Sequence, residues 1–493
     1  MSADPVALLQ RHLGYEAFRP GQEELVRAVL AGRDALGVLP TGGGKSVCYQ
    51  VPALALGGLT LVITPLVSLM EDQVERARAA GLRAAHLSAN QPPEIRRTTL
   101  AAATAKRLDI LFVAPERLEL DAFREALRGV DVRLLAVDEA HCISEWGHDF
   151  RPAYRRIGVL RGLLACPTMA LTATATPAVR QDVLDSLALE RPLVVVRSFD
   201  RPNLSWSVRR VQRRCTLAER VAAVYALLCS RPGCAIVYAP TRSSVERVRD
   251  GLACRGVETE AYHAGLPGPE RSRVQAEFME GRCRVVVATN AFGMGIDKAD
   301  VRTVVHVQLP GTLEAYYQEA GRAGRDGAPA ACVAFHARAD RRLVRSFVDR
   351  THPPARVLRD WHARLGRAAA CDGTVDLEAG APPELAAVLT EWMDGTGAGP
   401  IAALERIGTV RRVAPAARGE TSEGPERGLR LGIRRTADLR AASRLRRGAL
   451  AKADAVERYA RSRGCRRRAL LHYFGETAPR RCGSCDRCTA ESG

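Results

Sequence analysis

From about residue 30 to residue 200 the chain alternates short apolar runs with amphipathic stretches. Ala35–Leu39, Leu59–Thr64, Ile110–Ala114, Leu134–Asp138 and Met169–Thr172 read as strands, since each is a brief apolar run bounded by polar or Gly/Pro positions. Between them, Val67–Ala80 and Pro152–Leu164 space their apolar residues for one helical face. Such alternation predicts an α/β fold built on a doubly wound parallel sheet, with ligands held at the carboxyl ends of its strands. The pattern then restarts. Cys234–Tyr238, Thr259–Tyr262, Arg284–Thr289, Thr303–Val307 and Ala330–Phe335 predict a second sheet of the same kind, with a linker at Phe199–Val208. After about residue 345 it fades into a stretch rich in Ala, Gly, Pro and Arg. There, 382–394 and 400–413 fit two short helices and a strand of a small winged or helix-turn-helix unit, and 414–428 reads as an exposed loop. The expected domains are therefore 1–205, 206–345, a mostly helical basic region at 346–450, and a cysteine-bearing module at 451–493.

Two polar segments interrupt the first apolar pattern at strand ends. Thr41-Gly42-Gly43-Gly44-Lys45-Ser46 follows the first strand, and Asp138-Glu139-Ala140-His141 ends the fourth. A glycine loop of this kind can wrap phosphates in backbone N–H groups, with Lys45 reaching the β/γ oxygens and Ser46 holding Mg²⁺. Asp138 can complete the Mg²⁺ shell, and Glu139 can orient or deprotonate an attacking water. Together, in this order, they predict a nucleoside triphosphatase. The strict loop pattern has its first glycine at position 39, where this chain has Leu39. Nucleic-acid motor ATPases often relax that glycine, whereas small GTPases keep it. No second phosphate loop accompanies the second sheet, so ATP is expected in a cleft between the two.

Charge adds a partner. With 73 basic and 55 acidic side chains the net charge is 73 − 55 = +18, which favours a polyanion. Residues 411–470 hold 18 basic and 6 acidic residues, a net of 18 − 6 = +12. A solvated Arg-rich face or a tether would show the same excess. Only Lys45, Lys106, Lys298 and Lys452 are lysines, so the lysine retained in the glycine loop stands out. There a compact ammonium fits better than a guanidinium fork. The N-terminus has neither a basic leader nor an apolar leader core, and no apolar run approaches the roughly 20 residues of a membrane span. A cytoplasmic protein without membrane contact is expected, and its 14 cysteines are then not expected to form disulfides.

At this point the chain resembles the RecQ family of superfamily 2 DNA helicases. Tyr15-Glu16-Ala17-Phe18-Arg19-Pro20-Gly21-Gln22 looks like that family's adenine-reading segment, which implies that Gln22 contacts the adenine edge with Arg19 in support. Ile63 to Val74 is similar to the segment that contacts the DNA backbone and includes Ser68. Cys142 to Pro152 looks like the aromatic-rich loop, offering Trp146 and Phe150 as stacking faces, with His148 and Arg151 for polar contact. A Trp packed in the core is the ordinary alternative. Ala170 to Thr176 resembles the segment thought to couple hydrolysis to domain movement. In the second sheet, Tyr262 to Leu266 and Ala288 to Lys298 look like further family motifs. They imply a DNA contact at Thr289 and place Asp297 and Lys298 at the cleft, Asp297 toward ATP and Lys298 toward DNA. Gln318 to Gly327 is similar to the motif that supplies arginines. Arg322 and Arg325, three apart and expected on one helical face, would reach phosphate or the carboxylate box, with Arg325 as arginine finger.

The resemblance continues through Leu470 to Glu476 into Cys482, Cys485 and Cys488, which with Cys465 supply four thiolates suited to a closed, structural Zn²⁺ site. An iron–sulfur cluster is the rival, and His472 an alternative ligand. Longer family members follow this module with a winged-helix domain and a small helical HRDC domain. The present sequence ends five residues after Cys488, at Gly493, and is expected to be a short form, with the unit near 382–413 in the wing's place.

The resemblance thus implies two tandem RecA-like domains, a helical region and a zinc module. It implies an ATP-dependent helicase of the DEAH-box type, acting 3′ to 5′ on single-stranded and branched DNA in repair or recombination, with ATP, Mg²⁺ and Zn²⁺ as cofactors. A single-stranded-DNA-binding protein is the partner such an enzyme would meet. An RNA helicase, a double-strand translocase and an inactive nucleic-acid clamp are the competing classes.

Overall fold

The computed structural model describes residues 4–40, 42–65, 67–88, 91–147, 149–211, 216–293, 296, 298–369, 373–376, 398–413 and 430–489. Two compact units emerge, one of residues 1–337 with 458–493 and one of residues 338–457.

The first unit contains two sheets. Strands β1 (Ala35–Val38), β2 (Leu59–Ile63), β3 (Ala84–Leu87), β4 (Ile110–Val113), β5 (Val132–Val137), β6 (Thr168–Thr172) and β7 (Leu193–Val196) form the first. Their order is β3-β4-β2-β5-β6-β1-β7, and all pairs are parallel. Helices cover both faces, so central strands read as unbroken apolar runs. The core behind β1 packs Leu25, Val29, Tyr49, Val62, Phe112 and Leu134.

The second sheet comprises β8 (Leu204–Arg210), β9 (Cys234–Tyr238), β10 (Thr259–Tyr262), β11 (Val285–Ala288), β12 (Val301–His306) and β13 (Ala330–His336). Its order is β10-β11-β9-β12-β13-β8, again parallel throughout. In these two sheets three strands escaped the periodicity reading: β3, β7 and β8. The last begins inside the expected linker, which therefore narrows to the residues just before Leu204. The helix expected at 152–164 forms as a 3₁₀ turn, Pro152–Arg155, followed by the helix Arg156–Arg161.

In the second unit, helices Asp340–Thr351, Ala355–Ala368 and Gly399–Arg406 accompany an antiparallel sheet of β14 (Thr374–Asp376), β15 (Val410–Val413) and β16 (Arg430–Ile433). Strand β16 lies between the other two. Leu358, Leu365, Val375, Ile401, Leu404 and Leu431 form its core. The helix and strand expected within 400–413 are thus present as Gly399–Arg406 and β15. The segment 382–394 and the loop 414–428 lie outside the described residues. Among the described residues no helix is long and apolar enough to cross a membrane.

Candidate functional site

The glycine loop runs from the end of β1 into the helix Val47–Ala55, so its amides lie at a helix N-terminus suited to phosphate. Gly42 and Gly44 take φ of 79° and 67°, a left-handed backbone that glycine adopts without strain. Ser46 makes no side-chain bond to the helix it precedes, which leaves its hydroxyl for another ligand. A Cβ on Gly43 would lie 2.8 Å from the Pro40 carbonyl oxygen, so the tight turn needs this glycine too. Thr41 lies outside the described residues.

Gln22 braces the loop from the helix Gln22–Leu30. Its Nε2 donates to the carbonyls of Gly43 and Gly44, both at 2.9 Å, and its Oε1 accepts from the Arg19 amide at 2.8 Å. The Arg19 guanidinium donates to the Gly42 carbonyl. Both residues of the expected adenine segment therefore touch the phosphate loop directly, an arrangement the motif alone did not reveal.

Across this loop, β5 delivers Asp138 and Glu139. Asp138 is buried, and its Oδ1 accepts from the Glu139 amide at 2.9 Å. Burial, followed by the neighbouring Glu139 charge, pushes its pKa up to about 6 against the opposing pull of Lys45. A buried carboxylate of this kind favours a cation beside it. The Tyr154 hydroxyl donates to the Asp138 carbonyl at 3.0 Å. Glu139 adopts a left-handed φ of 46°, which turns its carboxylate toward Lys45, 3.9 Å from Nζ. Its other oxygen lies 3.3 Å from His141 Nδ1, and that same nitrogen lies 2.9 Å from Thr172 Oγ1. Thr172 in turn accepts from the Thr174 amide at 3.3 Å. The carboxylate box is thereby tied to the end of β6, and Thr172 is a functional contact that sequence reasoning quoted but did not single out.

The aromatic loop hangs directly from this box. The Arg151 amide donates to the Cys142 carbonyl at 2.9 Å and the Gly147 amide to the Ser144 carbonyl at 2.9 Å. A Cβ on Gly147 would fall 2.1 Å from the His141 carbonyl oxygen, closer than atoms can approach. Trp146, the next residue back, is 51% exposed. Phe150 has the Arg155 guanidinium 5.2 Å from its ring centroid. Arg151 donates from Nη1 to the Pro65 carbonyl at 3.0 Å, joining this loop to the segment that leads into the helix Val67–Ala79. Ser68 stands on that helix with its side chain outside the description, and His148 lies outside the described residues altogether.

From the second sheet, Arg322 and Arg325 approach. They are not on one helix: the helix Leu313–Ala320 ends before Gly321, and Gly324 takes φ of 56°. The expectation of a shared helical face is therefore corrected, because the helix stops before Arg322 and the left-handed Gly324 turns the chain between the two arginines. Arg322 donates from Nη1 to the Gly293 carbonyl, and Arg325 donates from Nη1 to the Ile296 carbonyl at 2.7 Å. Arg325 alone crosses to the first sheet, where a Cβ on Gly42 would be 3.5 Å from its Cδ. Thr289 follows β11 and accepts from the Ala291 amide at 3.4 Å. Lys298 is buried, donates to the Met279 carbonyl at 3.2 Å and pairs with Asp300 at 3.1 Å. Those partners hold its ammonium beside the helix Gly268–Met279 and the start of β12. Asp297 lies outside the described residues.

Cys465, Cys482, Cys485 and Cys488 bring their sulfurs within 4.8 Å of one another. Cys465 and Cys485 sulfurs are 3.9 Å apart, close to the roughly 3.8 Å edge of a tetrahedron with Zn–S of about 2.3 Å. The Arg466 amide donates to Cys485 Sγ at 3.4 Å, as an outer-shell group to a metal thiolate would. The donor set fits Zn²⁺, and His472 is not part of the cluster.

Comparison with known proteins follows the same order along the chain. The DEAD/DEAH box helicase family matches residues 19–183, the helicase conserved C-terminal domain residues 219–327, and the RecQ zinc-binding family residues 430–489. The probable ATP-dependent DNA helicase RecS of Bacillus subtilis is 40% identical over 343 residues, which cover 69% of this chain and 68% of that protein. The chain belongs to the RecQ family. The ATP-dependent DNA helicase RecQ of Pasteurella multocida is 46% identical over 341 residues, 68% of this chain and 52% of its own length. This chain thus spans about half the length of that RecQ relative, as it does of the one from Haemophilus influenzae, 54% covered. Among solved structures, the Mycobacterium smegmatis helicase Lhr bound to ssDNA and AMP-PNP aligns at a TM-score of 0.55 and 23% identity, covering 90% of this chain and 62% of that one. At that identity the likeness concerns the fold.

Proposed function

We propose that this RecQ-family chain is an ATP-dependent DNA helicase that moves 3′ to 5′ along single-stranded DNA and separates branched or partial duplexes, in repair or recombination. The observation that most supports this reading is Arg325 lying over Gly42, because it brings a cation from one sheet onto the phosphate loop of the other. ATP occupies that gap, its phosphates on the loop amides and Lys45. Gln22 and Arg19 face the base after exchanging some of their bonds to the loop. Ser46 and Asp138 are the residues that would hold Mg²⁺, which when bound neutralises phosphate charge and orients the terminal group. Glu139 accepts a proton from, or orients, the attacking water, and Arg325 stabilises the charge that develops on the transferring phosphoryl group. Arg322 holds the Ala288–Gly293 segment at the cleft. Single-stranded DNA contacts Ser68, Arg151 and Thr289 through its backbone, salt-sensitively and without sequence preference. One of its bases stacks on exposed Trp146, with Phe150 alongside. The four cysteines take Zn²⁺ as a structural ion.

The test is ATP-driven strand separation on 3′-tailed DNA, 5′-tailed DNA and 3′-tailed RNA partial duplexes, with Lys45→Ala as control. Selective opening of the 3′-tailed DNA that disappears in the Lys45→Ala protein is expected. Equal opening of RNA, or turnover retained without Lys45, would sink the reading.

A further inference from the structure

The segment between the two sheets has two sides, and both are occupied. On one side it holds the turn that carries the arginines. Arg201 donates from Nη1 to the Gly321 carbonyl at 3.3 Å, and from Nη2 to those of Ala323 and Gly324 at 2.9 and 2.8 Å. Asn203 Nδ2 donates to Gly324 and Ala328 carbonyls at 2.8 and 2.9 Å. A Cβ on Gly324 would meet Asn203 Nδ2 at 2.5 Å, so the fit at this turn is close. These bonds end on carbonyls just before, between and just after Arg322 and Arg325, in a turn that lies beyond the end of the helix Leu313–Ala320.

On the other side the segment is held by the cysteine module. Glu476 accepts from the Phe199 amide at 2.6 Å and from the Ser198 hydroxyl at 2.7 Å. Arg467, which follows Cys465 by two residues, donates from Nη2 to the Pro202 carbonyl at 2.8 Å. Phe474 stacks on Phe199 with centroids 4.4 Å apart. The linker is thus a short piece, with a turn at Arg201–Leu204, that grips the arginine turn on one side and is gripped by the module on the other.

We infer that Arg201 and Asn203 are positioning residues for Arg325, and that the cysteine module, through Glu476 and Arg467, sets the linker that carries them. This rests on the reading of Arg325 as the group that acts on phosphate. Removing Arg201 leaves the arginine turn without three of its donor bonds, so Arg325 loses its placement over Gly42 while the phosphate loop is untouched. A misplacement of about 1 Å can cost about 100-fold in rate, and it should fall on kcat rather than on KM.

The experiment compares Arg201→Gln, Asn203→Ala and Glu476→Gln with Arg325→Ala in the full-length chain. Steady-state ATP hydrolysis, DNA affinity, bound zinc and thermal unfolding are measured for each. Arg201→Gln is expected to lower kcat about 10- to 100-fold while KM for ATP, DNA affinity and bound zinc stay unchanged, with Arg201→Lys restoring part of the rate. Glu476→Gln is expected to move kcat in the same direction by less. If Arg201→Gln unfolds, Asn203→Ala decides by the same split. Unchanged kcat in the linker variants, or kcat, KM and zinc content falling together, overturns the inference. Should Arg325→Ala itself turn over normally, the reading of the finger fails first, and the two failures are told apart.

Discussion

Arg325 and Gly42 face each other across the gap between the two sheets, with 3.5 Å from the Arg325 Cδ to the place a Cβ on Gly42 would take. The guanidinium is held at this distance by its bond to the Ile296 carbonyl. Gly42 has no side chain, which leaves the arginine room directly beside the phosphate loop. Arg325→Ala is therefore expected to reduce ATP turnover by about 10³-fold or more and to leave single-stranded DNA affinity intact. Single-turnover hydrolysis beside a DNA-binding titration checks both.

In the proposed function the loop from Cys142 to Arg151 would join that chemistry to DNA. Gly147 lies against the His141 carbonyl so closely that alanine would force the backbone apart, and His141 shares Glu139 and Thr172 as partners. Gly147→Ala is expected to abolish DNA stimulation of ATP hydrolysis. Trp146→Ala should keep basal hydrolysis and lose most of the stimulation, since base–aromatic stacking is worth about 1–3 kcal/mol per base. Measuring hydrolysis with and without single-stranded DNA checks both variants, and stimulation unchanged in Trp146→Ala removes the sensor role.

The segments of the candidate site were legible because each is contiguous. Thr41–Ser46 and Asp138–His141 bring their groups together within one turn, and three of the four cysteines lie within seven residues. What stayed hidden is long-range or carried by backbone. The Arg201 bonds end on carbonyls about 120 positions away, and carbonyls have no sequence signature. Strand β3, Ala-Ala-His-Leu, lacks the β-branched residues that mark a strand. The arginine pair looked helical by spacing, yet the helix ends at Ala320 before Arg322, and the left-handed φ at Gly324 between the two ends any shared face. Lys298 drew notice by its rarity. Its position under the Phe278 ring, 5.8 Å from the centroid, depends on a fold that rarity does not report.

Loss of metal from the cysteine cluster should act first on the contacts around Phe474. This ring is fully buried between Phe199, Tyr317 and Tyr473, and truncating a buried Phe costs about 3–5 kcal/mol. Phe474→Ala is expected to lower the unfolding temperature of the first unit while four thiols still hold Zn²⁺. Cys485→Ser is expected to lower both. Zinc released on thiol titration, read beside a thermal melt, separates the two variants.

The second unit is expected to have its own sensitivity to acid, centred on His352. His352 Nε2 lies 3.2 Å from the Arg406 guanidinium, which can only donate, so that nitrogen must be unprotonated. Its Nδ1 lies 3.0 Å from Thr351 Oγ1, whose proton is committed to the Phe347 carbonyl. Nδ1 therefore has to be the donor, and the folded imidazole is neutral. Burial, reinforced by Arg406, Lys452 and Arg446, lowers its pKa to about 4. In the unfolded chain the imidazole titrates near its ordinary value of about 6.5. Between those values the unfolded state binds a proton that the folded state refuses. Stability is thus fully present above pH about 6.5 and is lost as pH falls toward 4, by at most about 3 kcal/mol. His352→Gln keeps an acceptor for Arg406 without a titrating ring. It is expected to flatten this acid loss while changing little at pH 7.5, and melts of the two proteins from pH 7.5 to pH 4.5 read the difference. Parallel pH curves for the two proteins would mean that other groups dominate the acid response of this unit.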